Sequence, residues 1–111
     1  MSIRINKRSN DKYSIYQLEG RLDTAGSAVL KLELDMESQN PSGSIILDMS
    51  QVTFISSAGI GVTVKTHSLL KQKGYEIRVA APNDEVRKIY DLLGFSHVIR
   101  LYANLGDALK D

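Results

Sequence analysis

The stretch that decides the fold is LDMSQVTFISSAGIGV, residues 47 to 62. A hydrophobic, strand-like run ends at Phe54-Ile55 and gives way to Ser56, Ser57, Ala58 and Gly59, with another glycine at 61. Just upstream, SIILDM (44–49) is almost continuously apolar, as a strand buried on both faces would be. Downstream, IGVTVKTHSLLKQKG (60–74) contains the β-branched Val62, Thr63 and Val64. Its length, the small residues at its front, and Lys71, Lys73 and Gly74 at its back nevertheless favour a helix. A buried strand that empties through small residues into a helix is a β-α unit.

The flanking segments extend the pattern in both directions. Ile3 and Ile5 alternate with polar residues, NKRSNDK (6–12) is a polar turn, and YSIYQLEG (13–20) is rich in tyrosine and isoleucine. Together they predict a β-hairpin whose first strand is short and at an edge. In GRLDTAGS (20–27), Asp23 or Thr24 is placed to cap a helix. Ala25, Val29, Leu32 and Met36 then share one helical face and predict its buried side, leaving Lys31, Glu33 and Glu37 outside. QNPSGS (39–44) breaks that helix. YEIRVAA (75–81) alternates as a strand. PNDEVRKIYDLLG (82–94) predicts a helix capped by Asn83, with Val86, Ile89, Tyr90 and Leu93 inward and Gly94 as its stop. FSHVIRLY holds a short strand and ANLGDALKD a last short helix.

The order β-β-α-β-α-β-α-β-α places residues 1–111 in one α/β domain. An opening antiparallel hairpin followed by parallel β-α units, joined by right-handed crossovers, gives a mixed sheet packed with about four helices.

Composition narrows the function. A chain of 111 residues with 42% hydrophobic and 24% charged residues has enough apolar content for one core. Its formal net charge of +1 gives no electrostatic reason to expect nucleic acid or a membrane surface as partner. The absence of cysteine removes thiol catalysis, disulfides and cysteine-ligated metals. The polar start MSIRINKRSNDK is no secretory signal, and no run nears the roughly 18 apolar residues of a membrane span, so the cytoplasm is the expected compartment. His67 and His97 lie far apart with no carboxylate at ligand spacing, which predicts structural histidines and no metal. Five scattered tyrosines form no stacking motif, and Lys71, Lys73 and Arg78 are read as a solvated face.

Chemistry therefore concentrates where Ser56 and Ser57 enter the second helix. Backbone N–H groups there lack intrahelical partners and the helix dipole is positive, a setting that favours an anion. Three readings meet at this point. A serine caps the helix while the glycines serve packing; or the loop binds a nucleotide phosphate; or a serine is itself phosphorylated. GIGVTVKT (59–66) fails as a nucleotide loop, because Val64 stands where a glycine should precede Lys65.

LDMSQVTFISSAGIGV resembles the signature of STAS domains, specifically bacterial anti-sigma factor antagonists: a D-x-S block, a hydrophobic pair, then D-S-[ST]-G-[LIV]-G. GRLDTAGS is similar to the family's turn before the first helix, and PNDEVRKIYDLLGFSHVIRLY to its closing helix and strand, so the likeness spans the chain. The resemblance implies that Ser57 is the phosphorylated hydroxyl. Ser56 occupies the signature aspartate's position and Ala58 that of the second small hydroxyl, while Gly59, Ile60 and Gly61 match. Asp23, followed by Thr24, matches the acidic turn residue near the phosphosite, and Asp48 the acid ending the central strand. The implied protein is a partner switch and not an enzyme, and it needs no cofactor of its own. Unphosphorylated, it binds an anti-sigma factor with serine kinase activity; phosphorylation of Ser57 releases it and a phosphatase resets it. The alternative within the family is a non-switching accessory subunit of a transporter complex.

Overall fold

A computed structural model describes residues 3–110, and its elements follow the expected order. Strands β1 (Ile3–Ser9) and β2 (Tyr13–Leu22) form the hairpin. Asn10 closes it, its side-chain oxygen accepting from the N–H groups of Lys12 and Tyr13 at 2.9 and 2.8 Å. Helix α1 (Thr24–Gln39), strand β3 (Ser44–Ile55), helix α2 (Ser57–Lys71), strand β4 (Ile77–Ala80) and helix α3 (Asp84–Leu92) follow. A 3-10 turn (Phe95–His97), strand β5 (Arg100–Tyr102) and helix α4 (Leu105–Ala108) complete the domain. The five strands lie side by side in chain order; β1 is antiparallel to β2 and every later pair is parallel.

Both faces of the sheet are covered, as the apolar run in β3 requires. Ile45, Leu47 and Met49 face a core shared with Leu30 and Leu34 of α1, Ile60 and Leu70 of α2, and Val86 and Tyr90 of α3. Ile46 points the other way, into a smaller core with Tyr13, Ile15, Ala80 and Ala108.

Several side chains face differently from their predicted directions. The buried face of α1 is Gly26, Ser27, Leu30, Leu34 and Ser38, while Leu32 and Met36 are 68% and 72% exposed. Gly26, Ser27 and Ser38 let this face approach α2 and the sheet closely around the core residues Leu30 and Leu34, and the stripe carrying Leu32 and Met36 is left outside. Glu37 turns inward, accepting from Lys7 Nζ, from Ser14 Oγ at 2.7 Å and from the Tyr16 hydroxyl at 3.0 Å. Burial pushes its carboxyl up, but these three donors outweigh it and hold the group below the usual carboxylate value. Leu93 is exposed, because α3 ends at Leu92 and the chain turns away through Gly94 at φ 78°.

The strand in YEIRVAA does not alternate: Ile77–Ala80 are all buried, since α4 covers the second face. Arg78 is therefore no part of a solvated face. It lies near the Tyr13 and Tyr102 rings (5.2 and 5.6 Å) and donates to the carbonyls of Ala108 and Lys110 at 2.8 and 2.6 Å. Within FSHVIRLY only the last three residues are strand.

Candidate functional site

Because β2 and β3 run parallel, α1 and α2 begin side by side at the same edge of the sheet. Asp23 is the N-cap of α1, its carboxylate accepting from Gly26 N–H at 2.8 Å. Ser56 is the N-cap of α2, its hydroxyl accepting from Gly59 N–H at 3.2 Å. Each cap satisfies one of the orphan donors of a first turn. The two turns are joined at the carbonyl oxygen of Leu22. It accepts from Ser56 N–H at 2.8 Å, from the Ser56 hydroxyl at 2.9 Å and from the Ser27 hydroxyl at 3.3 Å.

The two serines of the motif are thus in different situations. Ser56 is half-buried and its hydroxyl is committed both as donor and as acceptor. Ser57 is the first residue of α2 and is exposed; among the described residues none hydrogen-bonds its hydroxyl. The positive end of the helix dipole lies behind it, with no acidic residue in the first turn.

The small residues divide in the same way. A Cβ on buried Gly59 would stand 2.8 Å from Ile55 Cγ1, 3.1 Å from Ser27 Oγ and 3.2 Å from Leu22 Cβ, so this glycine permits the helix to seat on the sheet and on α1. Gly61 is exposed and a Cβ there would meet nothing within 4 Å, so it has no packing role of that kind. Ser57, Ala58 and Gly61 form a low, exposed patch on one face of α2.

Asp23 reaches toward Arg21 (3.9 Å), whose guanidinium covers the Phe54 ring at 4.4 Å. Thr24 is exposed beside it. Asp48 is not brought to this patch. It is buried in the middle of β3, paired with Gln17 and Ala80, and accepts from Ser50 N–H at 3.0 Å. Ile55 is the seventh residue further along β3, about 23 Å of extended chain away. A groove of 290 Å³ opens between Phe54–Ile55, at the end of β3, and the α3 residues Val86, Ile89 and Leu92.

His67 is structural. Its Nδ1 accepts from Ile77 N–H at 3.1 Å, tying α2 to β4, and burial holds its pKa below the ordinary value. Among the described residues no group of three or more histidines and carboxylates is placed to hold a metal ion, and no helix is long and apolar enough to cross a membrane.

Two features of the site escape a reading by side-chain type. The Leu22 carbonyl is a backbone atom with no sequence signal. The Arg21–Phe54 contact joins residues 33 apart in sequence, which a bulged register brings together.

Residues 4–108 match the STAS domain. The chain belongs to the STAS domain family. An anti-sigma F factor antagonist of Paenibacillus polymyxa is 28% identical over 112 residues, spanning 100% of this chain and 96% of that protein. The fold matches the anti-sigma factor antagonist SpoIIAA in its unphosphorylated form with a TM-score of 0.82 at 17% identity, over 96% of this chain and 93% of that one. The Bacillus protein in its phosphorylated form matches with a TM-score of 0.75 at 16% identity, over 96% of both chains. The same STAS fold aligns with part of the murine solute carrier 26 family member A9 anion transporter, with a TM-score of 0.76 at 19% identity, over 92% of this chain and 18% of that one. At these identities the structural likeness concerns the fold.

Proposed function

We propose that this STAS domain is an anti-sigma factor antagonist that works as a phosphorylation-controlled partner switch at Ser57. The observation that carries the reading is the contrast between adjacent hydroxyls: Ser56 is locked into the Leu22 turn, while Ser57 stands exposed on a patch of Ala58 and Gly61. In this reading the unphosphorylated patch fits the surface of an anti-sigma factor that is also a serine kinase. The kinase, using ATP and magnesium, transfers the terminal phosphoryl group to Ser57 Oγ, releasing ADP and the hydroxyl proton. The added charge of about −1.5 to −2 is tolerated by the domain, since it sits at a helix N-terminus, but not by a partner surface shaped for a small hydroxyl. Losing about 1.4 kcal/mol of binding is tenfold in affinity, so one phosphate is enough to reverse the complex. A phosphatase resets the switch. The domain itself contributes no catalysis.

The name of the Paenibacillus relative and the two described states of SpoIIAA support this reading. The match to an anion transporter supports a second, an accessory domain without a switch. Titration of Ser57→Ala and Ser57→Asp against the anti-sigma factor separates them. The switch predicts that Ser57→Ala binds like wild type and is not released by ATP, while Ser57→Asp binds at least tenfold more weakly. Equal binding by both variants rejects it.

A further inference from the structure

Strand β1 is a free edge of the sheet: β2 pairs one side of it, and among the described residues no strand pairs the other. It runs for seven residues, Ile3–Ser9, whereas the opposite edge, β5, has three. Shortness and charge are the usual guards of an edge. β1 is not short, and two of its three cations are already engaged within the chain, Arg4 with Glu19 at 3.4 Å and Lys7 with Glu37. Above this edge α1 presents an apolar row. Val29 and Glu33 line a groove of 600 Å³ with Ile3, Arg4 and Ile5. Met36 and Glu33 line a second groove, of 360 Å³, with Lys7 and Ser9. Met36 is exposed, Val29 is half-buried, and exposed Leu32 lies beside them on the helix.

We infer that this face is closed by a second copy of the chain, β1 pairing antiparallel with β1 across a twofold axis and the two α1 helices packing above the joined strands. Such an interface uses the same patch on both copies. Glu37 touches Lys7 on β1 and both Ser14 and Tyr16 on β2, so α1 rests above these two strands. Neighbouring strands lie about 4.8 Å apart, so two helices placed in this way about the axis stand about 10 Å from each other, the spacing of packed helices. With Ile5 at the axis, Ile5 faces Ile5, Arg4 faces Asn6, and Arg4 is kept apart from Arg8. The same register sets Ile3 opposite Lys7. Val29, beside Ile3 and Ile5, then meets Met36 of the other copy, beside Lys7 and Ser9. Charge fits as well as shape. Glu33, which lines both grooves, comes over a strand of the other copy that carries Arg4, Lys7 and Arg8. The axis places the two Ser57 edges at opposite ends of the joined sheet, so both stay open and the inference does not rest on the reading of Ser57.

The test is sedimentation equilibrium of the full chain over a wide range of concentration, with amide hydrogen exchange measured on the same samples. Wild type should pass from the mass of one chain to that of two, and amides of β1 should gain protection in step. Met36→Asp should weaken the association by about tenfold or more, since the axis introduces the charge on both sides. Leu92→Asp, which changes an exposed apolar residue on α3, should leave it unaltered. Thermal melts confirm that both variants are folded. A wild type that keeps the mass of one chain at every concentration overturns the inference. So does a dimer that Met36→Asp does not weaken, or in which β1 gains no protection, because its interface lies elsewhere. If β1 is protected only when the anti-sigma factor is added, the edge belongs to that partner and the second copy is rejected, while the Ser57 reading stands.

Discussion

Ser56 donates twice to one acceptor: its backbone N–H and its hydroxyl both reach the Leu22 carbonyl oxygen, at 2.8 and 2.9 Å. An aspartate at this position could cap the helix but could not supply the second donor. The serine in this chain thus exchanges a charge beside Ser57 for a bond between the two helix starts.

Ser56→Ala should therefore destabilise the domain more than Ser57→Ala. It loses an N-cap, typically about 0.5–2 kcal/mol, and a hydrogen bond worth about 1 kcal/mol. Ser57→Ala removes an exposed hydroxyl and should stay within about 0.5 kcal/mol of wild type. Urea unfolding of both variants ranks them. The reverse order would mean that Ser57, not Ser56, holds the turn.

The two glycines of the motif should respond in opposite ways. Gly59→Leu pushes a side chain into Ile55, Ser27 and Leu22, and overpacking of this kind costs about 1–3 kcal/mol or more. Gly61→Ala meets open space inside a helix and should stabilise by up to about 1 kcal/mol. Gly61→Leu should fold normally yet bind the anti-sigma factor poorly. Melting curves and titrations on the same samples check both halves.

His67 sets a dependence on pH. Its folded pKa lies below the unfolded value of about 6.5, so its contribution is complete above that pH. As the pH falls below about 6.5 the unfolded chain takes up the proton first, and stability declines until the folded pKa is passed. Protonation of Nδ1 also removes the acceptor for Ile77 N–H. Urea unfolding on either side of pH 6.5 should show the decline in wild type and a flatter profile in His67→Gln, whose amide oxygen can still accept.

Glu37→Leu should cost about 1–3 kcal/mol, because the hydroxyls of Ser14 and Tyr16 lose their acceptor. The depressed carboxyl adds a sign that can be checked. Wild-type stability from Glu37 is present above the ordinary carboxylate value and is lost as the pH falls through the lower folded value, whereas Glu37→Leu lacks that acid step. Unfolding measured between neutral and strongly acid pH tests both.

Element order and sheet class were legible because they rest on patterns long enough to be unambiguous: the apolar run in SIILDM, the small residues after Ile55, the caps Asp23 and Asn83. The inner face of α1 was not. There two stripes compete, Ala25, Val29, Leu32 and Met36 on one side and Leu30 and Leu34 with Gly26, Ser27 and Ser38 on the other, and the second, which combines two large side chains with small ones that permit close approach, is the one buried. A charged residue carries a similar ambiguity. Glu37 and Arg78 read as solvated by type, yet each is drawn inward by partners remote in sequence, Lys7 and Tyr16 for one and the α4 carbonyls for the other. At the site, Ser57 and Gly59 could be picked out by position, while the distinction between Ser56 and Ser57 depended on a backbone oxygen.

Arg78 grips the segment after β5 by its main chain. The carbonyls of Ala108 and Lys110 exist whatever side chains those positions carry. The closing segment is thus specified by its span more than by its spelling. Most substitutions at Lys110 leave the clasp intact, whereas inserting or deleting one residue between Tyr102 and Ala108 would carry the carbonyls out of the guanidinium's reach.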